Sequence, residues 1–202
     1  MKDARLLTAS EFLRNPMRVG TAVPASAAMV SRVLDPIDWA AVDLAVEYGP
    51  GSGRFTFEML RRMHAGAHLL VIETGAQFVE QLRSHDDPRL IVVEGSAVDV
   101  NRHLARQGFG QADCVVAGLP FSTLDRSEAE AIMGGTAMAL RPAGLLAAYQ
   151  MRTAIRPLIG RHFAAVRHGF EWWNIPPCHL YWATSPLACA PGGPMSLLRT
   201  AA

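Results

Sequence analysis

The segment AVEYGPGSGRF, residues 45–55, places three glycines at alternate positions directly after an apolar run. Glycines at such a point allow a tight turn between a strand and a helix, and they let a ligand approach the backbone closely. Turns of this kind usually hold a phosphate or a nucleotide at the helix N-terminus. The first question is therefore which class of ligand this turn accepts.

Two phosphate-binding motifs fit the segment poorly. The dinucleotide fingerprint G-x-G-x-x-G/A would require its third glycine at position 54 or 56, where the chain has Arg54 and Thr56. The P-loop motif requires a lysine after its second glycine, and Lys2 is the only lysine in the chain. Taken alone, the turn is equally consistent with a structural strand–helix connection. The pattern that remains is Glu-x-Gly-x-Gly-x-Gly, formed by Glu47, Gly49, Gly51 and Gly53.

Two carboxylates change that balance. Glu73 closes the second apolar run, 20 residues after Gly53, where a carboxylate can accept hydrogen bonds from ribose hydroxyls. Glu47 lies at the turn itself, where it would repel a pyrophosphate but suit an ammonium group. A ligand with a ribose, a positively charged amine and no phosphate is S-adenosylmethionine, and we expect the turn to bind it.

The rest of the chain predicts an α/β fold with one main domain. Apolar runs at 42–49, 67–74, 89–95, 112–120 and 144–151 alternate with amphipathic segments at 54–64, 76–85, 97–108 and 127–142. Such alternation indicates a parallel sheet with helices on both faces. Segments 164–174 and 177–184 predict two further strands, an antiparallel hairpin added to that sheet.

The two ends of the chain have a different character. Residues 1–14 and 26–35 predict helices, the second capped by Ser26. We expect residues 1–38 to form a helical extension, 39–184 the ligand-binding domain, and 185–202 a loosely held tail. The helix at 1–14 is either a lid on the domain or an amphipathic helix lying on an anionic membrane.

The segment VEYGPGSGRFT (46–56) resembles the first motif of class I S-adenosylmethionine-dependent methyltransferases. Segments 12–26, 71–82, 114–124 and 172–182 resemble, more narrowly, the bacterial phospholipid N-methyltransferase family, which is related to ribosomal RNA adenine dimethylases. The resemblance implies a Rossmann-like sheet of seven strands, S-adenosylmethionine as cofactor and S-adenosylhomocysteine as product.

The resemblance also assigns the cofactor-binding residues. It places the three glycines at the methionine part of the cofactor, Glu73 at the ribose, and Ser96 and Ala97 beside the adenine. The family usually has an aspartate where this chain has Ser96, which makes a weaker hydrogen bond to the adenine amino group. The expected cofactor-binding residues are Glu47, Gly49, Gly51, Gly53, Glu73, Thr74, Ser96, Ala97 and Gly118.

The segment AGLPFS (117–122) follows the fourth predicted strand, at the edge of the sheet where ligands bind in such folds. Adenine methyltransferases carry Asn/Asp-Pro-Pro-Tyr/Phe here, and this chain has Gly118 in place of the polar residue. Only backbone carbonyls then remain to orient an amine, unless the segment is merely a strand exit. We take Gly118, Leu119 and Tyr149 as the expected catalytic positions.

Other side chains near the predicted site have weaker signals. Trp172 and Trp173 are expected to pack in the core, with cation–π contact to a methylated ammonium group as the alternative. Gln150 and Asn174 flank them at neighbouring strand ends. Three histidines offer general bases without belonging to any motif: His162, His168 and His179.

The composition argues against several classes of protein. A formal net charge of +1 lacks the basic excess that nucleic-acid binding requires. Three scattered cysteines, Cys114, Cys178 and Cys189, argue against a disulfide framework and against structural zinc, so no metal is expected. No apolar stretch has the length of a signal peptide core or a membrane span. We expect a cytoplasmic protein with peripheral contact to the inner membrane surface.

These observations lead to one main hypothesis and two alternatives. The main one is N-methylation of an amine acceptor such as phosphatidylethanolamine. The alternatives are methylation of a small biosynthetic molecule and a non-catalytic protein that has lost cofactor affinity through Ser96.

Overall fold

Residues 25–187 are described by the structure, a computed structural model. The predicted helix at 1–14, Cys189 and most of the 185–202 tail lie outside these residues. The strands are β1 (Leu44–Tyr48), β2 (His68–Glu73), β3 (Leu90–Glu94), β4 (Ala112–Ala117), β5 (Leu140–Gln150), β6 (Phe163–Glu171) and β7 (Cys178–Pro186). The helices are α1 (Ala27–Leu34), α2 (Arg54–Arg62), α3 (Ala76–Arg83), α4 (Val100–Arg106), α5 (Arg126–Ala139) and α6 (Arg156–His162).

The seven strands form one sheet in the order β3-β2-β1-β4-β5-β7-β6. The first five strands pair in parallel, whereas β7 runs antiparallel to both β5 and β6. The predicted parallel sheet and terminal hairpin are therefore confirmed. The strand order reverses between β1 and β4, so a crevice opens at their carboxyl ends, where ligands bind in this class of sheet.

Helices cover both faces of the sheet, which explains why β1 is buried along its whole length. Alternate side chains of β1 serve opposite layers: Ala45 packs with α1, α2 and α3, whereas Val46 packs with α4, α5 and α6. The Tyr48 hydroxyl lies 3.1 Å from the Thr136 hydroxyl and joins β1 to α5. This two-sided core holds the carboxyl end of β1 in a fixed position beneath the glycine turn.

The glycine turn depends on backbone conformations that other residues rarely adopt. Gly49, Gly51 and Gly53 have φ values of 63°, 52° and 83°. The turn is fastened at both ends, because the Gly49 N–H donates to the Ile72 carbonyl and the Gly53 N–H to the Pro50 carbonyl. The turn therefore delivers α2 onto the sheet directly after β1.

Helix α1 is hydrogen-bonded to β7 and to the connection between β6 and β7. Its predicted cap is confirmed, since the Ser26 hydroxyl accepts a hydrogen bond from the Met29 N–H. The Ser26 N–H donates to the Asn174 side-chain oxygen at 2.9 Å, and the Trp182 indole N–H donates to the Val33 carbonyl at 3.0 Å. These bonds bring the start of α1 against the β6–β7 connection, at the same edge of the sheet as the glycine turn.

Two expectations need correction. The predicted helix at 127–142 ends at Ala139, because Leu140 already pairs with Ala112 as the start of β5 and Pro142 cannot continue a helix. The expected core packing of Trp172 and Trp173 is wrong, since 72% and 84% of these side chains are exposed. Both lie in the connection between β6 and β7, beyond the last paired residues of the two strands, Glu171 and Cys178.

Replacing Gly53 by alanine tests the turn. A Cβ at this position would lie 2.6 Å from Phe57 and 2.9 Å from Leu82, in addition to the strain of a positive φ. We expect Gly53→Ala to lower the free energy of unfolding by about 2–4 kcal/mol. Gly108→Ala is the matched control, because Gly108 has a φ of 75° and an added Cβ would meet nothing within 4 Å. Urea unfolding that gave equal losses for both variants would contradict this account.

Candidate active site

Two adjoining cavities open at the carboxyl ends of the strands. Cavity A lies between the glycine turn, the start of α1 and the β6–β7 connection. Cavity B lies between the turn, the ends of β2 and β3, and the start of α5. Gly49, Leu119 and Pro120 line both cavities, so the turn and the loop after β4 form the boundary between them.

Most of the residues predicted from the sequence line one cavity or the other. Cavity A includes Gly51, Gly118 and Tyr149. Cavity B includes Glu73, Thr74, Ser96 and Ala97. The two exceptions are Glu47 and Gly53, which line neither cavity.

Glu73 holds the glycine turn against the end of β2. One carboxylate oxygen accepts the Thr74 and Gly75 N–H groups at 2.7 and 2.8 Å, and the other accepts the Gly51 N–H at 3.1 Å. A carboxylate has about four acceptor positions, so one on the second oxygen is not used by any of the described residues. Glu73 therefore combines a structural role in the turn with one free acceptor position in cavity B.

Glu47 lies beneath the turn and is buried. Its carboxylate accepts a 2.6 Å hydrogen bond from the Thr56 hydroxyl. Burial raises the pKa of Glu47 to about 8, the Thr56 hydrogen bond opposes the shift, and the nearby Glu73 charge adds to it. At neutral pH Glu47 is therefore mostly protonated in the folded chain.

The loop after β4 contains one backbone acceptor that is free among the described residues. The Leu119 carbonyl accepts from the Phe121 N–H and the Gln150 amide, and the Pro120 carbonyl accepts twice from Thr123. No hydrogen bond within residues 25–187 reaches the Gly118 carbonyl, and Pro50 in the facing turn has no N–H to offer. Of the backbone carbonyls at Gly118, Leu119 and Pro120, only that of Gly118 is therefore left to orient an amine.

Tyr149 occupies the space that a side chain at position 118 would need. A Cβ on Gly118 would collide with the Tyr149 hydroxyl oxygen. The ring stacks on Phe55 with centroids 4.4 Å apart and planes inclined by 11°. Burial raises the pKa of Tyr149, and the acidic groups of Glu47, Cys178 and Glu73 raise it further, so the phenol stays neutral. The missing polar side chain at residue 118 is replaced in space by this hydroxyl.

Ser96 is partly committed to local structure. Its hydroxyl accepts the Val98 N–H at 3.2 Å and caps the short 3₁₀ turn Ala97–Asp99. Its backbone carbonyl lies 3.2 Å from a ring nitrogen of His103. One hydroxyl lone pair and the hydroxyl proton remain for a ligand in cavity B.

The other sequence candidates are distributed differently. Gln150 and Asn174 line cavity A, but Trp172 and Trp173 do not line either cavity, and nor do His162, His168 and His179. His162 pairs with Glu130 at 2.8 Å, and His168 with His179 at 3.0 Å. Four residues that the sequence analysis did not single out also line cavity A: Met29, Arg54, Phe55 and Phe78. Only Arg54 and Phe55 could have been found from the sequence, because they directly follow the glycines.

Residues 25–187 contain no group of three His, Cys, Asp or Glu side chains arranged to hold a metal ion. None of the helices described there has the length and apolarity to cross a membrane.

Solved structures similar to this chain include methyltransferases. The N-methyltransferase NodS from Bradyrhizobium japonicum, in complex with S-adenosylhomocysteine, superposes with a TM-score of 0.64 at 14% identity over 90% of this chain and 100% of its own. An O-methyltransferase from Bacillus cereus, also with this product, gives a TM-score of 0.64 at 10% identity over 90% of each chain.

Sequence relatives are similarly consistent. The ornithine lipid N-methyltransferase of Singulisphaera acidiphila is 28% identical over 90% of this chain and 95% of its own length. The ribosomal RNA small subunit methyltransferase A of Geobacter metallireducens is 33% identical, but over only 46% of this chain and 34% of its own length. No family model matches the chain.

Sheet order, glycine turn and relatives together define a class I methyltransferase that depends on S-adenosylmethionine. Within that class the chain resembles the bacterial phospholipid N-methyltransferase family, as its motifs predict.

The buried Glu47 predicts a specific pH dependence of stability. The pKa of Glu47 is about 8 in the folded chain and about 4.5, its ordinary value, in the unfolded chain, so stability falls as pH rises between these values. Glu47→Gln keeps an acceptor for Thr56 and removes the titration. Urea unfolding should show the variant gaining on the wild type by about 1 kcal/mol per pH unit between pH 6 and 8.

Glu58→Gln is the control for this measurement. Ion pairing with Arg61 and Arg62 lowers the pKa of Glu58 to about 2, so its removal should have the same effect at every pH between 6 and 8. A constant difference between Glu47→Gln and the wild type over that range would show that Glu47 is ionised in the folded chain.

Proposed function

We propose that this protein transfers a methyl group from S-adenosylmethionine to the primary amine of a membrane lipid headgroup. The observation that carries the proposal is the pair of acceptors at residues 118 and 149, which suits an amine and replaces the polar side chain of base-modifying enzymes. The similarity over nearly the whole length to an ornithine lipid N-methyltransferase supports the same acceptor chemistry.

The residues around the two cavities fit the cofactor. Cavity B would hold the adenosine, with the free acceptor position of Glu73 for a ribose hydroxyl and Ser96 for the adenine. The turn would hold the methionine part, because Gly49 leaves no room for a Cβ beside Leu119, 3.0 Å away, and Gly51 keeps its surface open. The role predicted for Glu47 toward the ammonium group stays a prediction, since this side chain lies beneath the turn.

The chemistry at the boundary between the cavities is chiefly one of alignment. When bound, the cofactor supplies an electrophilic methyl group on a positively charged sulfur. The Gly118 carbonyl and the Tyr149 hydroxyl oxygen would each accept one N–H of a neutral primary amine and leave its lone pair free for in-line attack. Stacking on Phe55 fixes the Tyr149 ring and therefore the position of its hydroxyl.

The acceptor amine must lose its ammonium proton before it can attack the methyl group. The Cys178 thiol in cavity A has a pKa raised by burial, and none of the seven histidines lines the cavity. Residues 25–187 thus offer no neutral-pH base at this place, and the amine would enter after losing its proton to water. Arg54 and the apolar lining of cavity A disfavour the ammonium form of the acceptor.

A methyl-transfer assay tests the acceptor class. The protein would be incubated with methyl-labelled S-adenosylmethionine and vesicles that contain phosphatidylethanolamine or an ornithine lipid, with ethanolamine and ornithine as soluble arms. We expect label in at least one extracted lipid and a rate that rises with pH toward the pKa of the lipid amine. Phosphatidylcholine vesicles are the control, because their headgroup nitrogen is fully methylated. Label in soluble amines alone would contradict the proposal and support a small biosynthetic substrate.

Tyr149→Phe tests the alignment. The variant keeps the ring that stacks on Phe55 and loses only the acceptor oxygen, so kcat should fall by about 10–100-fold while the affinity for S-adenosylhomocysteine stays unchanged. Tyr181→Phe is the matched control, because the buried Tyr181 hydroxyl also lacks a partner among the described residues but lies outside both cavities. An unchanged kcat in Tyr149→Phe, or equal losses in both variants, would refute the role of Tyr149.

A further inference from the structure

We propose that the β6–β7 connection is a membrane-contact tip that inserts into the headgroup region of a bilayer containing anionic lipid. We call Trp172, Trp173 and Ile175 the tip. The inference rests on the proposed function in one respect: the tip would bring the opening of cavity A to the surface where the lipid amine lies. Its evidence, however, is independent of the chemistry.

The tip is the strongest concentration of exposed apolar surface within residues 25–187. Its three side chains are 72%, 84% and 75% exposed, and they lie within four consecutive positions. Large apolar groups in such a cluster mark interaction sites on soluble domains. Tryptophan in particular favours the membrane–water interface, where its ring is buried and its N–H remains hydrated.

The backbone that carries the tip is held in place. Glu171, which is buried and paired with Arg32 at 3.2 Å, accepts the Trp173 N–H at 2.7 Å. Asn174 is 3% exposed, accepts the Ser26 N–H, and donates to the Pro176 carbonyl at 2.7 Å. A fixed backbone keeps the apolar side chains in solvent, and little backbone entropy is lost when they insert.

Charge near the tip complements an anionic surface. Arg152, exposed beside Met151 at the end of β5, has no acidic partner among the described residues. Of the other arginines in residues 131–187, Arg141 and Arg161 pair with Asp113 and Glu130. Arginines near a bilayer strengthen binding to anionic lipids. The free charge of Arg152 therefore favours a lipid surface over a neutral protein partner.

The tip also lies at the opening of cavity A. Asn174 and Pro176, which alternate with the exposed tip residues, line cavity A, and so does Met151, which is 44% exposed. Insertion of the tip would therefore place this opening at the depth of the headgroups. A lipid amine would then reach Gly118 and Tyr149 without leaving the bilayer.

Vesicle co-sedimentation of the full chain tests the proposal. The probes are phosphatidylcholine vesicles with and without phosphatidylglycerol, and neither lipid offers a primary amine. We expect the wild type to bind the anionic vesicles, and the double variant Trp172→Ser/Trp173→Ser to bind them at least about tenfold more weakly. Arg152→Gln should lower the advantage of the anionic vesicles. Met138→Ser is the control, because Met138 is 57% exposed on α5, away from the tip, and should bind as the wild type does.

Two measurements separate the possible failures. Unchanged affinity of the double variant for S-adenosylhomocysteine shows that it folds, and a chain without residues 1–14 reports the contribution of that segment. Three results would overturn the proposal. The wild type binds neither type of vesicle, the double variant binds the anionic vesicles as the wild type does, or removal of residues 1–14 alone abolishes vesicle binding. Vesicle binding by the wild type without methylation of any lipid amine would contradict the proposed function but not the proposal that the tip contacts the membrane.

Discussion

The hydrogen bond from the Gly51 N–H to the Glu73 carboxylate is the constraint on which the site depends. It joins the glycine turn after β1 to the end of β2, and so fixes the boundary between cavities A and B. The turn can adopt this path because its three glycines have positive φ and because Gly49 leaves room for Leu119. The same carboxylate has one acceptor position that the described residues do not use, which is the position we propose for a ribose hydroxyl.

The loss of one side chain at residue 118 is matched by the position of another. Gly118 removes the polar group found at this place in adenine methyltransferases, and the Tyr149 hydroxyl lies where that group would begin. Gly118 and Tyr149 both line cavity A and together offer one backbone and one side-chain acceptor. An acceptor pair of this kind suits a small amine better than a planar base, which would need stacking as well as hydrogen bonds.

The sequence predicted the fold, and most of the residues it singled out line the two cavities, because both depend on local signals. Alternation of apolar runs and amphipathic segments indicated the sheet, and spacing alone related Glu73 to the glycines. The exposure of Trp172 and Trp173 was not predictable in this way, because strand propensity does not tell whether a hairpin extends beyond the core. The contacts of Tyr149 with Gly118 and Phe55 depend on the register of β5 against β4. The position of Met29 in the lining of cavity A depends on how α1 packs against the sheet. Both are features of the tertiary structure that no local sequence pattern indicates.

A crystal structure with S-adenosylhomocysteine bound tests the central claim, that the two cavities form one site divided by the glycine turn. The account predicts the adenosine in cavity B with a ribose hydroxyl on Glu73, and the sulfur at the boundary, directed toward Gly118 and Tyr149. A product molecule lying wholly within cavity A, or one whose sulfur is directed away from Tyr149, would contradict it.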